Sequence, residues 1–151
     1  MKNSITYKLY FNTAELPTSW NDLAIDNIFL SKEYLEVLEI SAPINMTCFF
    51  IGIYQDKKLV GIGLSQFLDL NKLESFGERD KCIKTFIRNI IFRNFCSHVL
   101  LMGNNMLTGQ NAFQFSPEID SSKGVETLYL ATSEIKKILK QKGLKVHLTT
   151  L

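Results

Sequence analysis

From Ile5 to Phe11 large and polar side chains alternate and most residues are β-formers, which predicts a half-buried strand ending at Asn12-Thr13. Pro17 can open a helical turn, and Trp20, Leu23 and Ile25 give the stretch up to Asn27 a short, poorly patterned apolar face. A brief helix is expected there. Ser31 is placed as an N-cap before Lys32-Glu33-Tyr34-Leu35-Glu36-Val37-Leu38, where Tyr34, Leu35 and Leu38 share one side at helical spacing. Pro43 marks the end of that helix.

A nearly continuous apolar run from Cys48 to Tyr54 predicts a strand covered on both faces. The polar Gln55-Asp56-Lys57-Lys58 reads as a turn, and Leu59 to Phe67 resumes strand character, so the two form a hairpin. Gly61 and Gly63 weaken the second strand intrinsically, which suggests a bulge, a close backbone approach or small residues packed under a helix. From Glu78 to Phe95 the residues Ile83, Phe86, Ile87, Ile90 and Ile91 keep helical spacing, with Lys81, Lys84, Arg88 and Arg93 at other positions. Phe92 and Phe95 widen the apolar face and predict deep burial. The basic positions read first as a solvated face.

Ser97 to Met102 predicts a buried central strand stopped at Gly103-Asn104-Asn105. Asp120 or Ser121 caps a long helix with an apolar stripe of Val125, Leu128, Tyr129, Ile135, Ile138 and Leu139, and Gly143 suits its C-terminal cap. Lys145 to Thr150 reads as a last strand. One long helix crossing between two late strands makes them a parallel pair under the right-handed crossover rule. The expected class is α/β, a mixed central β-sheet flanked by helices.

Composition narrows the partners. The 151 residues suit one core, and 46% hydrophobic with 21% charged residues is globular. A formal charge of +2 is too small for the broad positive field that nucleic acid binding needs, so no nucleic acid is expected. Cys48, Cys82 and Cys96 are odd in number and sit in apolar runs, so free thiols in a reducing, cytoplasmic compartment are expected. With only His98 and His147, and no Cys-x-x-Cys, no metal site is expected. No run reaches the ~18 apolar residues of a membrane helix, so no span is expected.

The element order, with the hairpin Phe49-Phe50-Ile51-Gly52-Ile53-Tyr54-Gln55-Asp56-Lys57-Lys58-Leu59-Val60-Gly61-Ile62-Gly63-Leu64 at its centre, resembles the GNAT acyltransferase fold. With the loop from Gly103 to Phe115 after the next strand, it is similar to the N-terminal module of bacterial GNAT-like proteins related to the Fem peptidyltransferases of peptidoglycan biosynthesis. The likeness spans roughly residues 1–151 as a single GNAT-like domain. Such relatives continue into a second module, so the chain is also readable as the first part of something longer.

That resemblance implies an acyltransferase or aminoacyltransferase acting on an amine, with acyl-CoA as co-substrate and nothing bound covalently. It also implies a second GNAT-like module as partner. The implied cofactor loop holds Gly103, Asn104, Thr108 and Gly109: the glycines allow close backbone approach to a ligand such as a pyrophosphate, and Asn104 and Thr108 offer polar groups. The loop departs from the family's Gln/Arg-x-x-Gly-x-Gly/Ala pattern. Gly103 and Gly109 stand six residues apart, and about ten residues, including Pro117, separate Gly109 from the next helix. Two glycines that merely let a long loop turn explain the same residues. Phe113 and Phe115 would form an apolar wall of the site or tuck the loop onto the core.

Catalytic groups are not assigned. Glu74, Glu78 and Asp80 suit a helix start, and Cys96 with His98 lacks an activating third group. Two functions therefore stand side by side: a GNAT-like transferase module, and a non-catalytic module that packs against a second domain and shapes a substrate cleft.

Overall fold

A computed structural model describes residues 4–72, 90–91, 94–107 and 112–150. Among these residues six strands form one mixed sheet: β1 (Ile5–Tyr10), β2 (Met46–Gln55), β3 (Lys58–Asp69), β4 (His98–Met102), β5 (Phe113–Phe115) and β6 (Leu148–Thr150). The order is β1-β2-β3-β4-β6, with β5 also on β3. The first four strands of that order are antiparallel neighbours, whereas β4 and β6 run parallel, with Val99 opposite Leu148. The expected α/β class with a mixed sheet is what the chain adopts.

The hairpin occupies the middle of the sheet. Asp56 and Lys57 both take positive φ, 49° and 71°, and Gln55 pairs with Lys58, so the connection is a two-residue type I′ turn. Tyr54 pairs with Leu59 but Ile53 with Gly61, which leaves Val60 as the extra residue of a bulge. The bulge keeps both layers supplied. Leu59 and Ile62 pack with one core, Val60 with the other. Gly61 and Gly63 serve close packing: a Cβ would lie 2.9 Å from the Phe115 ring at Gly61 and 3.1 Å from Leu128 at Gly63.

One face of the sheet is covered by the segment between β1 and β2. This segment holds the four-residue helix α1 (Trp20–Leu23), single 3-10 turns at Thr13–Glu15 and Ile28–Leu30, and helix α2 (Lys32–Ile40). Ser31 caps α2, its Oγ accepting the Tyr34 N–H, and Leu35 and Leu38 are buried. Trp20 is fully buried, donates its indole N–H to the Leu30 carbonyl at 2.8 Å and meets Tyr10 edge-on. Around it lie Tyr10, Leu16, Leu30, Leu35, Phe50 and Leu64.

The other face is covered by α3 (Ser121–Gln141), with Phe49, Ile51, Ile53, Val60, Leu100 and Met102 beneath it. Asp120 is the N-cap, and Gly143 at φ 78° ends the helix. The Gly143 N–H donates to the Lys140 carbonyl and the Leu144 N–H to that of Leu139, a Schellman closure. The buried side of α3 is Gly124, Thr127, Leu128, Ala131, Thr132, Ile135 and Leu139, while Val125 and Tyr129 are exposed. This corrects the expected stripe. Small residues lie inward because Gly124 must clear Phe115, whose ring would be 2.7 Å from a Cβ there. Thr127 and Thr132 are tolerated inside because their hydroxyls donate to the carbonyls of Lys123 and Leu128.

Most of the expected helix from Glu78 to Phe95 lies outside the described residues, as does Cys82. Ile90, Ile91, Asn94 and Phe95 are helical, but Phe95 is 66% exposed, and Ile90 and Ile91 are also exposed. The expected burial of Phe95 is not found. Helical spacing identifies a face and says nothing of whether another element covers it. Among the described residues no helix is long and apolar enough to cross a membrane.

Candidate functional site

β3 offers one edge to two strands. Residues 65–69 pair with β4 and residues 61–63 with β5. At Leu64, between them, the carbonyl accepts the Gly103 N–H at 2.7 Å and the N–H donates to the Ala112 carbonyl at 2.9 Å. β4 and β5 therefore lie on one edge of β3 on either side of Leu64, and the chain leaves that edge after Gly103, at the carboxyl end of β4, and is back on it at Ala112. Gly103 has φ 116°, a conformation L side chains rarely adopt, and its missing Cβ would lie 3.3 Å from that of Ala112. The glycine is explained by the neck of the loop.

The first residues of the loop are bound inward. Asn104 is buried, its Nδ2 donates to the Tyr34 hydroxyl at 3.0 Å, and its Oδ1 accepts the Met106 N–H at 2.9 Å. The Asn104 carbonyl accepts the Leu107 N–H, and the Asn105 N–H donates to Gln66 Oε1 at 2.8 Å. Gln66 is fully buried, and its Nε2 approaches Cys48 Sγ at 3.8 Å. Burial pushes the Cys48 thiol up to about 11, so it is no nucleophile at neutral pH. The N–H groups of Gly103, Asn105, Met106 and Leu107 are thus all spent on acceptors of the chain itself.

The next helix start is occupied in the same way. The Asp120 carboxylate accepts the N–H groups of Ser122 at 2.8 Å and Lys123 at 3.4 Å. A carboxylate on those amides satisfies the helix end and opposes any second anion there. Phe113 and Phe115 stack with centroids 4.7 Å apart and pack on the α3-side core, which is the tucked arrangement. No family model, curated protein or solved structure matches the chain.

Of the four expected cofactor residues, Gly103 and Asn104 come together at the loop neck, while Thr108 and Gly109 lie outside the described residues. Among the described residues no cluster of three or more His, Cys, Asp or Glu is placed to hold a metal, and Cys48 and Cys96 are free thiols.

The opposite end of β4 carries a grouping that sequence reading missed. Asp69 pairs with His98 across β3 and β4, and His98 Nε2 lies 3.5 Å from Asp69 Oδ1. The carboxylate absent from the Cys96-His98 reading is thus supplied by the neighbouring strand. The ring of His147 stacks on that of His98 with centroids 5.1 Å apart, and the His98 N–H donates to His147 Nδ1. Desolvation, then His98 and Lys145, hold His147 below its ordinary value. His98 Nδ1 lies 2.9 Å from the Lys145 carbonyl, so it carries the hydrogen that this acceptor requires. Both ring nitrogens of His98 face oxygens of the chain itself, so the Asp69–His98 pair joins strands and leaves no His98 nitrogen for a substrate. Only pairing register brings residues 69, 98 and 147 together, so no motif announces them.

Proposed function

We propose that this chain is a GNAT-like module that helps to build a transferase without itself seating the acyl donor. The parent protein would transfer an acyl or aminoacyl group to an amine, and this module would pack against a second one and shape the substrate cleft. The observation that carries the reading is the Asp120 carboxylate on the α3 amides, reinforced by the loop N–H groups spent on Leu64, Gln66 and Asn104. A pyrophosphate seat needs those donors free. Support for a packing role comes from the exposed Val37, Ile40 and Ile44, three large aliphatic residues at the end of α2 and just after it.

A second reading, acyl transfer by the chain itself, is favoured by one feature. The loop leaves the carboxyl end of β4, the place where open α/β sheets bind ligands. Calorimetric titration of the chain with acetyl-CoA, mapped by amide shifts, separates the two. The proposal expects no shift at Gly103, Asn105, Ser122 or Lys123 at millimolar acetyl-CoA. Saturable shifts at those amides, weakened by Met106→Glu at the exposed loop with an unchanged melting temperature, would establish the second reading instead.

A further inference from the structure

Five of the chain's 17 basic residues, Lys136, Lys137, Lys140, Lys142 and Lys145, fall within ten positions, and no Asp or Glu follows Glu134. Lys136, Lys137 and Lys140 project from the last turns of α3. Lys145 comes from the segment that the Gly143 turn sends back toward β6. Between them is a cleft of about 330 Å³ lined by Ser133, Lys136, Lys137, Lys140, Lys145 and Val146. We infer that this cleft is a binding site for a small molecule carrying two or more adjacent phosphate groups.

Lysines at a helix C-terminus offset the helix dipole, which accounts for those on α3. It does not account for Lys145, which reaches the same cleft from outside the helix. Lys137 is partly neutralised by Glu134 at 3.4 Å. Among the described residues no carboxylate pairs with Lys136, Lys140 or Lys145, so three lysines from two elements line one cleft without a carboxylate partner. An anion with several charges can pair with more than one of these lysines at once, where a single phosphate pairs with fewer. Val146 supplies an apolar patch for whatever carries the phosphates. The volume is at the lower end of small-molecule pockets. The cleft adjoins the amino end of β4, since the His147 N–H donates to the His98 carbonyl, so it is separate from the loop at the carboxyl end.

The probe is inorganic pyrophosphate added to the whole chain at low salt, followed by NMR of the amides and of the His147 ring. The expected result is saturable binding with a dissociation constant on the order of 1 mM or tighter, shifts at Ser133, Lys145 and Val146, and a His147 pKa that rises on binding. Orthophosphate at equal concentration should bind more weakly. The exposed double variant Lys140→Gln/Lys145→Gln should lose about tenfold in affinity with an unchanged melting temperature, while the charge-matched Lys8→Gln/Lys57→Gln keeps it. Equal losses in both double variants would reduce the effect to net charge and overturn the site. So would shifts scattered over all surface lysines, or binding only to phosphatidylglycerol vesicles and not to pyrophosphate.

Discussion

On one face of the sheet Leu16, Trp20 and Leu30 come from short turns and Leu35 from a nine-residue helix; on the other Leu128, Ala131, Ile135 and Leu139 come from one 21-residue helix. The difference lies in how backbone polar groups are satisfied. A long helix bonds its own amides, whereas short turns need side chains to finish the work. Trp20 bonds the Leu30 carbonyl, Asn21 Oδ1 accepts the Lys32 N–H, and Glu39 accepts both the N–H and hydroxyl of Thr13. The turn-built layer therefore depends on single side chains. The helical layer depends on spacing, and its demand falls on small residues such as Gly124 and Ala131.

The largest break in that comparison is expected from Trp20→Ala. Removing a fully buried indole and its hydrogen bond should cost about 3–5 kcal/mol, measured by denaturant unfolding. A smaller one tests the helical layer. Gly124→Val pushes side-chain atoms into the Phe115 ring and should cost about 1–3 kcal/mol. Tyr129→Ser, on the exposed side of α3, should stay within about 0.5 kcal/mol. If Tyr129→Ser proved the costlier of the two, the face assigned to α3 would be wrong.

The mildest effect concerns pH, at the place where the helical layer joins β6. His147 is held below its ordinary value of 6.5, so the unfolded chain takes up its proton first as pH falls. Its contribution is complete above pH 6.5 and declines as pH drops through that value toward the folded pKa. Protonation also removes the Nδ1 acceptor used by the His98 N–H. The groups facing it are His98 and Lys145, both unfavourable to added positive charge. Melting temperature should fall with pH from 6.5 downward more steeply for the natural chain than for His147→Gln, which lacks the titrating ring.

Much of the architecture was legible where one face pattern decided it. The hairpin, the Ser31 cap, the parallel pairing of the late strands and the Gly143 stop all followed from local rules. The weight of Trp20 is not marked in its own stretch, which has poor periodicity; it comes from Tyr10 and Leu30 in other elements. The stripe on α3 was shifted because hydrophobicity favours Val125 and Tyr129, while packing against Phe115 favours Gly124. The type I′ geometry of the turn is not signalled by its residues, because Asp56-Lys57 contains no glycine. At the candidate site the sequence located the loop and its glycine neck. It did not disclose that Asn104 bonds Tyr34 or that Asn105 bonds Gln66, since those partners are 70 and 39 residues away.

The most direct test is amide hydrogen exchange at Leu64, Gly103, Asn105, Ser122 and Lys123, with and without acetyl-CoA. If the loop neck and helix start are filled by the chain's own acceptors, these amides exchange slowly in the free chain and millimolar acetyl-CoA leaves them unchanged. Fast exchange in the free chain that slows when acetyl-CoA is added would show open donors closing on a phosphate, and would contradict a self-filled seat.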